Sequence, residues 1–269
     1  MPVGVLHPGE MGAAVGAALR AKGEAVLWAS SGRSAATVER ASQAGLEDVG
    51  TVQELRRRSD VIVSLCPPHA ALDVARSLLG YAGLYVDANA VSPATARTIA
   101  TLFDRYVDGG VIGPPPSAPG TTRLYLSGRE APAVADLFAG TSVDARVVSG
   151  DPTAASALKM AFAAWTKGTA ALLLAVRAVA RAQQVEDELL EEWRLSLPEL
   201  PDRSLAAARS ALDKGWRWVG EMDEIAETFA VAGLPEGFHR AAAEIYRRSA
   251  RAPADAGLEG LLDVIARDD

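Results

Sequence analysis

The chain has 269 residues, enough for one large domain or two of ordinary size with a core that needs no covalent staples. Its single cysteine, Cys66, excludes an internal disulfide framework, and a net charge of -7 argues against a nucleic-acid partner, which requires a clustered positive face. The opening segment MPVGVLHPGEMG lacks a basic stretch followed by a long apolar run, and the apolar run at 171–180 is broken by Arg177, short of the about 20 residues that span a bilayer, so the expectation is a cytoplasmic protein with no membrane partner.

Short apolar runs at 3–6 (VGVL), 25–29 (AVLWA), 61–65 (VIVSL) and 84–87 (LYVD) are each followed by a helix-forming segment, with a weaker strand in 45–50 (GLEDVG). Such alternation predicts a parallel sheet covered by helices on both faces. Runs at 106–111, 122–127 and 143–148 complete the sheet, with a helix near 130–139. Beyond Gly150 no further strand is predicted. A long helix over about 152–183 is followed by helices at 185–196, 200–215, 217–231, 236–250 and 256–267, divided by Pro198, Pro201, Gly233, Pro235 and Pro253. The predicted organisation is therefore an α/β Rossmann-type domain over 1–150 and an all-helical domain over 151–269. The Ala- and Leu-rich long helix is the spine of a bundle or meets a second subunit, and the expectation is a homodimer through the helical domain.

VGVLHPGEMGAAVG joins the first strand to the first helix. In the pattern G-x-G-x-x-G the first glycine makes the tight turn, the second admits a pyrophosphate and the third lets helix and strand pack closely. Gly9 and Gly12 supply the second and third, His7 stands in place of the first, and Pro8 stiffens the turn. The helix start at Glu10-Met11 then points unpaired N–H groups at the phosphates. An acidic residue at the end of the second strand would grip the ribose 2′-hydroxyl of NAD. The sequence there is WASSGRS, and Ser30, Ser31 and Arg33 suit a 2′-phosphate, so the cofactor expected is NADP, with NAD second. Ser31 and Ser34 are also candidate caps for the next helix. Cys66 and Pro67, in LCPPHA after the strand at 61–65, and Asn89, after the strand at 84–87, fall at carboxyl ends of strands that line the cofactor crevice.

Lysine is scarce, occurring only as Lys22, Lys159, Lys167 and Lys214. Lys159 lies early in the long helix, with Ala163, Thr166 and approximately Lys167 on its side. A lysine with its pKa lowered by burial serves as a proton-linked group for hydride transfer. The aromatic-rich block 215–248 contains Arg217, Glu221, Glu224 and His239 as candidate substrate-pocket residues. His7, His69 and His239 lack metal-site spacing, and no metal is expected.

The first domain resembles the β-hydroxyacid dehydrogenase and 6-phosphogluconate dehydrogenase superfamily. The resemblance rests on Gly9-Glu10-Met11-Gly12, Pro67, Asp87 with Ser92-Pro93, the segment DGGVIGP at 108–114 and the helix bearing Lys159. It implies an NAD(P) site in the first domain, a helical dimerisation domain, an active site between them and Lys159 in the place of the catalytic lysine. Four residues depart from the family pattern: His7 for glycine, Ile112 for the serine that holds a substrate carboxylate, Pro114 for glycine, and Ala163 for an asparagine four residues after the lysine. Residues 158–173 and the block Trp218 to Arg247 are similar to the superfamily branch whose C-terminal domain is of unknown function, as are HPGEMG, VIGPPP and TRLYLSG. In that branch Thr166, Lys167, Glu221 and His239 are the candidates to replace the missing polar groups. The resemblance implies an NADP-dependent oxidoreductase acting on a hydroxy or keto carbon of a small molecule; the alternatives are a C=N reductase and a non-catalytic dinucleotide-binding dimer.

Overall fold

The structure is a computed structural model that describes residues 1–253 and 255–267. The strands are β1 (Val3–Val5), β2 (Val26–Trp28), β3 (Glu47–Asp48), β4 (Val61–Ser64), β5 (Leu84–Asp87), β6 (Tyr106–Ile112), β7 (Thr122–Ser127) and β8 (Val143–Val147). They form a single sheet in the order β3-β2-β1-β4-β5-β6-β7-β8, parallel throughout except for the antiparallel β6–β7 pair. The uninterrupted apolar runs of β1, β2 and β4 are buried along their whole length, as a sheet covered on both faces requires.

Helices α1 (Glu10–Ala21), α2 (Ala35–Gln43), α3 (Val52–Arg58), α4 (Ala71–Arg76), α5 (Pro93–Ala100) and α6 (Ala131–Phe138) supply that cover. Ser34, Thr51 and Ser92 cap α2, α3 and α5 by accepting from Thr37, Glu54 and Thr95 N–H groups. Two apolar clusters result. One joins Val15 and Leu19 of α1 to Val134 and Phe138 of α6 across the sheet, and the other joins Leu55, Ala75, Ile99 and Tyr85.

The remaining helices are α7 (Ala154–Ala182), α8 (Glu186–Ser196), α9 (Leu200–Val231), α10 (Gly237–Ser249) and α11 (Gly257–Ala266). The two helices expected over 200–215 and 217–231 are one helix of 32 residues. Gly215 does not break it, because a Cβ there would already lie 3.6 Å from the Tyr246 ring, and the close packing of α10 offsets a glycine's low helix propensity. Pro201 sits in the first turn, where a backbone N–H has no intrahelical partner to lose.

The chain divides into two compact units, Met1–Met160 and Ala161–Asp269. The division falls inside α7, ten residues beyond the position expected from the loss of strands, because the first turns of α7 are tied to the sheet. In the helical unit the guanidinium of Arg177, 7% exposed, donates to Glu186 at 2.6 and 3.1 Å and to Ser204 at 3.0 Å. By length and composition alone α7 would suffice to cross a membrane. Its arginine, paired inside the unit, is that of a bundle helix.

Candidate functional site

β1 runs into a tight turn in which the Gly9 N–H donates to His7 O at 2.8 Å. A Cβ on Gly12 would stand 2.2 Å from the same oxygen, so only glycine lets α1 start this close to the strand. At Gly9 a Cβ would meet nothing within 4 Å, and no side chain caps α1. There is thus open space beside Gly9 at the start of α1, where a pyrophosphate would find room. Pro8 is buried and stiffens the turn, Glu10 is exposed on the first turn, and Met11 packs against the core.

Two buried polar atoms face this crevice without a hydrogen-bond partner: His7 Nδ1 and Arg33 Nε. Burial, and then the positive charge of Arg33, push the His7 pKa down to about 4, so the imidazole is neutral at pH 7. Arg33 also acts electrostatically on the Cys66 thiol, which places its charge across the carboxyl ends of β1 and β4. A neutral donor and an unsatisfied guanidinium N–H beside an open helix N-terminus fit the phosphates of a dinucleotide. Of the two cap candidates, Ser34 caps α2, while Ser31 is exposed and its N–H donates to Gly50 O at 2.8 Å.

At the next strands, Asn89 Oδ1 accepts from the Cys66 N–H at 2.6 Å, and its Nδ2 donates to Asp87 at 2.6 Å and to Ser64 at 3.1 Å. Both amide hydrogens are thus engaged within the protein, and Asn89 braces the ends of β4 and β5 that form the crevice wall. Burial, with the negative charge of Asp87, pushes the Cys66 thiol up to about 12, far from thiolate chemistry. Pro67 starts a single 3-10 turn at Pro68–Ala70, and His69 points to solvent.

β6 holds the lysine. The fully buried Asp108 carboxylate accepts from Ser156 N at 2.8 Å, Ser156 Oγ at 2.5 Å and Ser127 Oγ at 3.0 Å, pinning the first turn of α7 to the sheet. Two residues on, a Cβ at Gly110 would lie 2.9 Å from Lys159 Cβ and 3.0 Å from Ala155 O, so the helix rests directly on β6. Lys159 is half-buried, and burial alone lowers its pKa to about 8. An amine of that pKa divides between neutral and protonated forms near physiological pH, as proton exchange with a substrate oxygen or nitrogen requires.

In the helical unit Lys167 forms a half-buried ion pair with Glu221, its Nζ 5.6 Å from the Trp218 ring centre. A cleft of about 360 Å³ lies against Lys167, with Thr169, Arg203, Ser210 and Trp218 among its walls. Thr166 also borders the cleft, but it is exposed and its hydroxyl donates to Phe162 O at 3.1 Å. His239 is 4% exposed, with ring centres of Phe229 at 4.3 Å and Phe238 at 5.1 Å, and burial lowers its pKa. Its Nδ1 has no hydrogen-bond partner and lies near the position a Gly168 Cβ would occupy. Among the described residues no group of three or more His, Cys, Asp or Glu side chains is placed to hold a metal.

Sequence reasoning did not single out Asp48, Ser127 or Ser156. Ser127 and Asp108 carried a signal, since each is a polar residue inside an otherwise buried strand. Asp48 carried none, because its role depends on which strand lies beside β2.

A family model described as a domain of unknown function, DUF1932, matches residues 180–249. An uncharacterized 28.5 kDa protein of Methanothermus fervidus is 34% identical over 163 residues, covering 60% of this chain and 63% of that protein's length. A conserved protein of unknown function, whose structure was found similar to 3-hydroxyacid dehydrogenases, superposes with a TM-score of 0.67 at 27% identity, covering 92% of this chain and 98% of the other. The 3-hydroxyisobutyrate dehydrogenase of Mycobacterium tuberculosis shares the fold at 17% identity (TM-score 0.68; 98% and 97% covered). So does a reductive aminase from Aspergillus terreus in complex with NADPH, at 18% identity (TM-score 0.58; 98% of each chain). The fold is thus one that dinucleotide-dependent oxidoreductases use, and the helical domain carries the DUF1932 segment. The chain therefore shares its fold with 3-hydroxyacid dehydrogenases and carries, within its helical part, a segment similar to a domain of unknown function.

Proposed function

We propose that this chain is an NADP-dependent oxidoreductase that transfers hydride between the nicotinamide and a hydroxy or keto carbon of a small molecule, with Lys159 as the proton-linked catalytic residue. The observation that carries this reading is Lys159 itself, lowered by burial to about 8 and seated on β6 beside Gly110. The dinucleotide, when bound, supplies or accepts the hydride. The start of α1 and Gly9 would hold its pyrophosphate, and Ser30, Ser31 and Arg33 the 2′-phosphate. As a C–H hydride leaves an alcohol, neutral Lys159 accepts the O–H proton; in the reverse direction its ammonium returns that proton to the oxygen of the forming alcohol. Oxidation therefore accelerates as pH rises through about 8, while reduction slows.

A C=N substrate is the second reading. Ile112 and Ala163 stand at the two positions where the resemblance would place a carboxylate-holding serine and an asparagine, and the shared fold extends to a reductive aminase. In either case the protein acts in the cytoplasm as a homodimer built on its helical unit.

The test is Lys159→Ala and Lys159→Gln, assayed with NADPH against a panel of ketones, keto acids and cyclic imines. Turnover is expected to fall by about 10² to 10⁴-fold, with NADPH affinity held within about threefold. Undiminished turnover in the variants would remove Lys159 from the chemistry. NADPH binding without turnover of any substrate by the wild type would favour a non-catalytic dinucleotide-binding protein.

A further inference from the structure

The end of β2 is free of acidic residues in sequence, yet it is not free of them in space. β3 pairs in parallel with β2 so that Trp28 stands opposite Asp48. The Asp48 carboxylate thereby reaches the loop after β2, where its Oδ1 accepts from the Ser30 N–H at 3.2 Å and the Gly50 N–H at 2.8 Å. The Ser30 side chain helps to lower the pKa of the same carboxylate. Asp48 remains exposed, and these bonds hold its carboxyl below the usual range, so it carries a full negative charge at neutral pH.

Strand β2 in this fold leads to the position that meets the 2′ substituent of the adenosine ribose. Here that position presents two opposed chemistries. Arg33, with its unsatisfied Nε, favours a 2′-phosphate. Asp48, anchored through Ser30, accepts hydrogen bonds from a 2′-hydroxyl and repels a 2′-phosphate.

We propose that Asp48, contributed by β3, is a specificity-determining residue that limits the preference for NADP and lets the site accept NAD as well. This rests on the dinucleotide-binding reading above and refines it. The carboxylate is fixed by backbone donors that do not titrate, so the discrimination is built into the β2–β3 pairing rather than into a flexible side chain.

Asp48→Asn is the informative substitution, because an asparagine Oδ1 still accepts from Ser30 and Gly50 while the charge is lost. Wild type and variant are titrated in parallel with NADPH and NADH by nicotinamide fluorescence, and with adenosine 2′,5′-bisphosphate and ADP by calorimetry. The expected result is a shift of the NADH-to-NADPH Kd ratio toward NADPH by about tenfold in the variant, with the adenosine 2′,5′-bisphosphate to ADP ratio moving the same way. Asp48→Ser, which also removes the charge, is expected to shift the ratio in that direction and serves if the asparagine variant does not fold. Binding of both dinucleotides with ratios unchanged within about twofold would overturn the role of Asp48 and leave the dinucleotide reading standing. Binding of neither dinucleotide to the wild type would overturn both.

Discussion

His7 shows how one residue sets the character of the turn. A glycine there would leave the crevice bare; the imidazole instead places a buried, neutral ring beside Arg33. Its lowered pKa has a consequence for stability. In the unfolded chain the ring protonates near 6.5, whereas in the fold it protonates only near 4. Between those values the unfolded state binds the extra proton, so stability is lost as pH falls through that window, by at most about 1.4 kcal/mol per pH unit. His7→Asn, which does not titrate, should abolish this contribution. Urea unfolding at pH 7.5 and pH 5 is expected to show wild type losing more stability than the variant on acidification; equal losses would mean that His7 is solvated in the native turn. The Gly9/Gly12 turn and Lys159 were legible in the sequence because each is a local signal, a glycine spacing or a scarce residue type. Asp48 was not, since nothing within GLEDVG says that its carboxylate will meet Ser30 from a neighbouring strand. Asn89 was read as a crevice residue, but its brace across β4 and β5 needs both strand ends in place.

At the scale of elements, β6 and α7 form the device that presents Lys159. Asp108 holds the start of the helix, Ser127 accepts from the Ala155 N–H at 3.0 Å, and Gly110 allows the backbones to meet. Among the described residues the strands other than β3 were predicted because apolar runs between turn residues are read directly from the chain, while β3, Glu47–Asp48, was expected only as a weak strand in GLEDVG. The single helix α9 was not: separate helices were expected at 200–215 and 217–231, and the packing of Gly215 against Tyr246, 31 positions away, is not a local signal. Gly110→Ala tests the β6–α7 contact. The added methyl group would sit 2.9 Å from Lys159 Cβ and 3.0 Å from Ala155 O, and relief requires α7 to lift off the strand. We expect a loss of about 1–3 kcal/mol in stability and a rise of the Lys159 pKa from about 8 toward 10.5 as water enters. With four lysines in the chain, reductive ¹³C-methylation followed by an NMR pH titration resolves Lys159 directly. An unchanged Lys159 titration together with unchanged unfolding would show that the helix is not seated on β6 as described.

At the scale of the whole molecule, the surface of the helical unit exposes more large apolar groups than solvation favours. Trp165 is 68% exposed, Trp216 57%, Leu172 47% and Phe162 44%. Three of these lie on α7, whose Ala- and Leu-rich composition suggested a subunit contact from the sequence. Large aromatic groups left open in this number mark an interaction surface, and a second copy of the chain is the occupant proposed here. Sedimentation equilibrium should then give about twice the 28.0 kDa chain mass. Replacing Phe162 and Trp165 together by glutamate places two like charges on each facing surface, and by symmetry four in the dimer interface, so the variant is expected to sediment at the chain mass with its helical circular dichroism retained. A wild type that sediments as a monomer across micromolar concentrations would sink the dimer, and the exposed tryptophans would then have to be explained by a different partner.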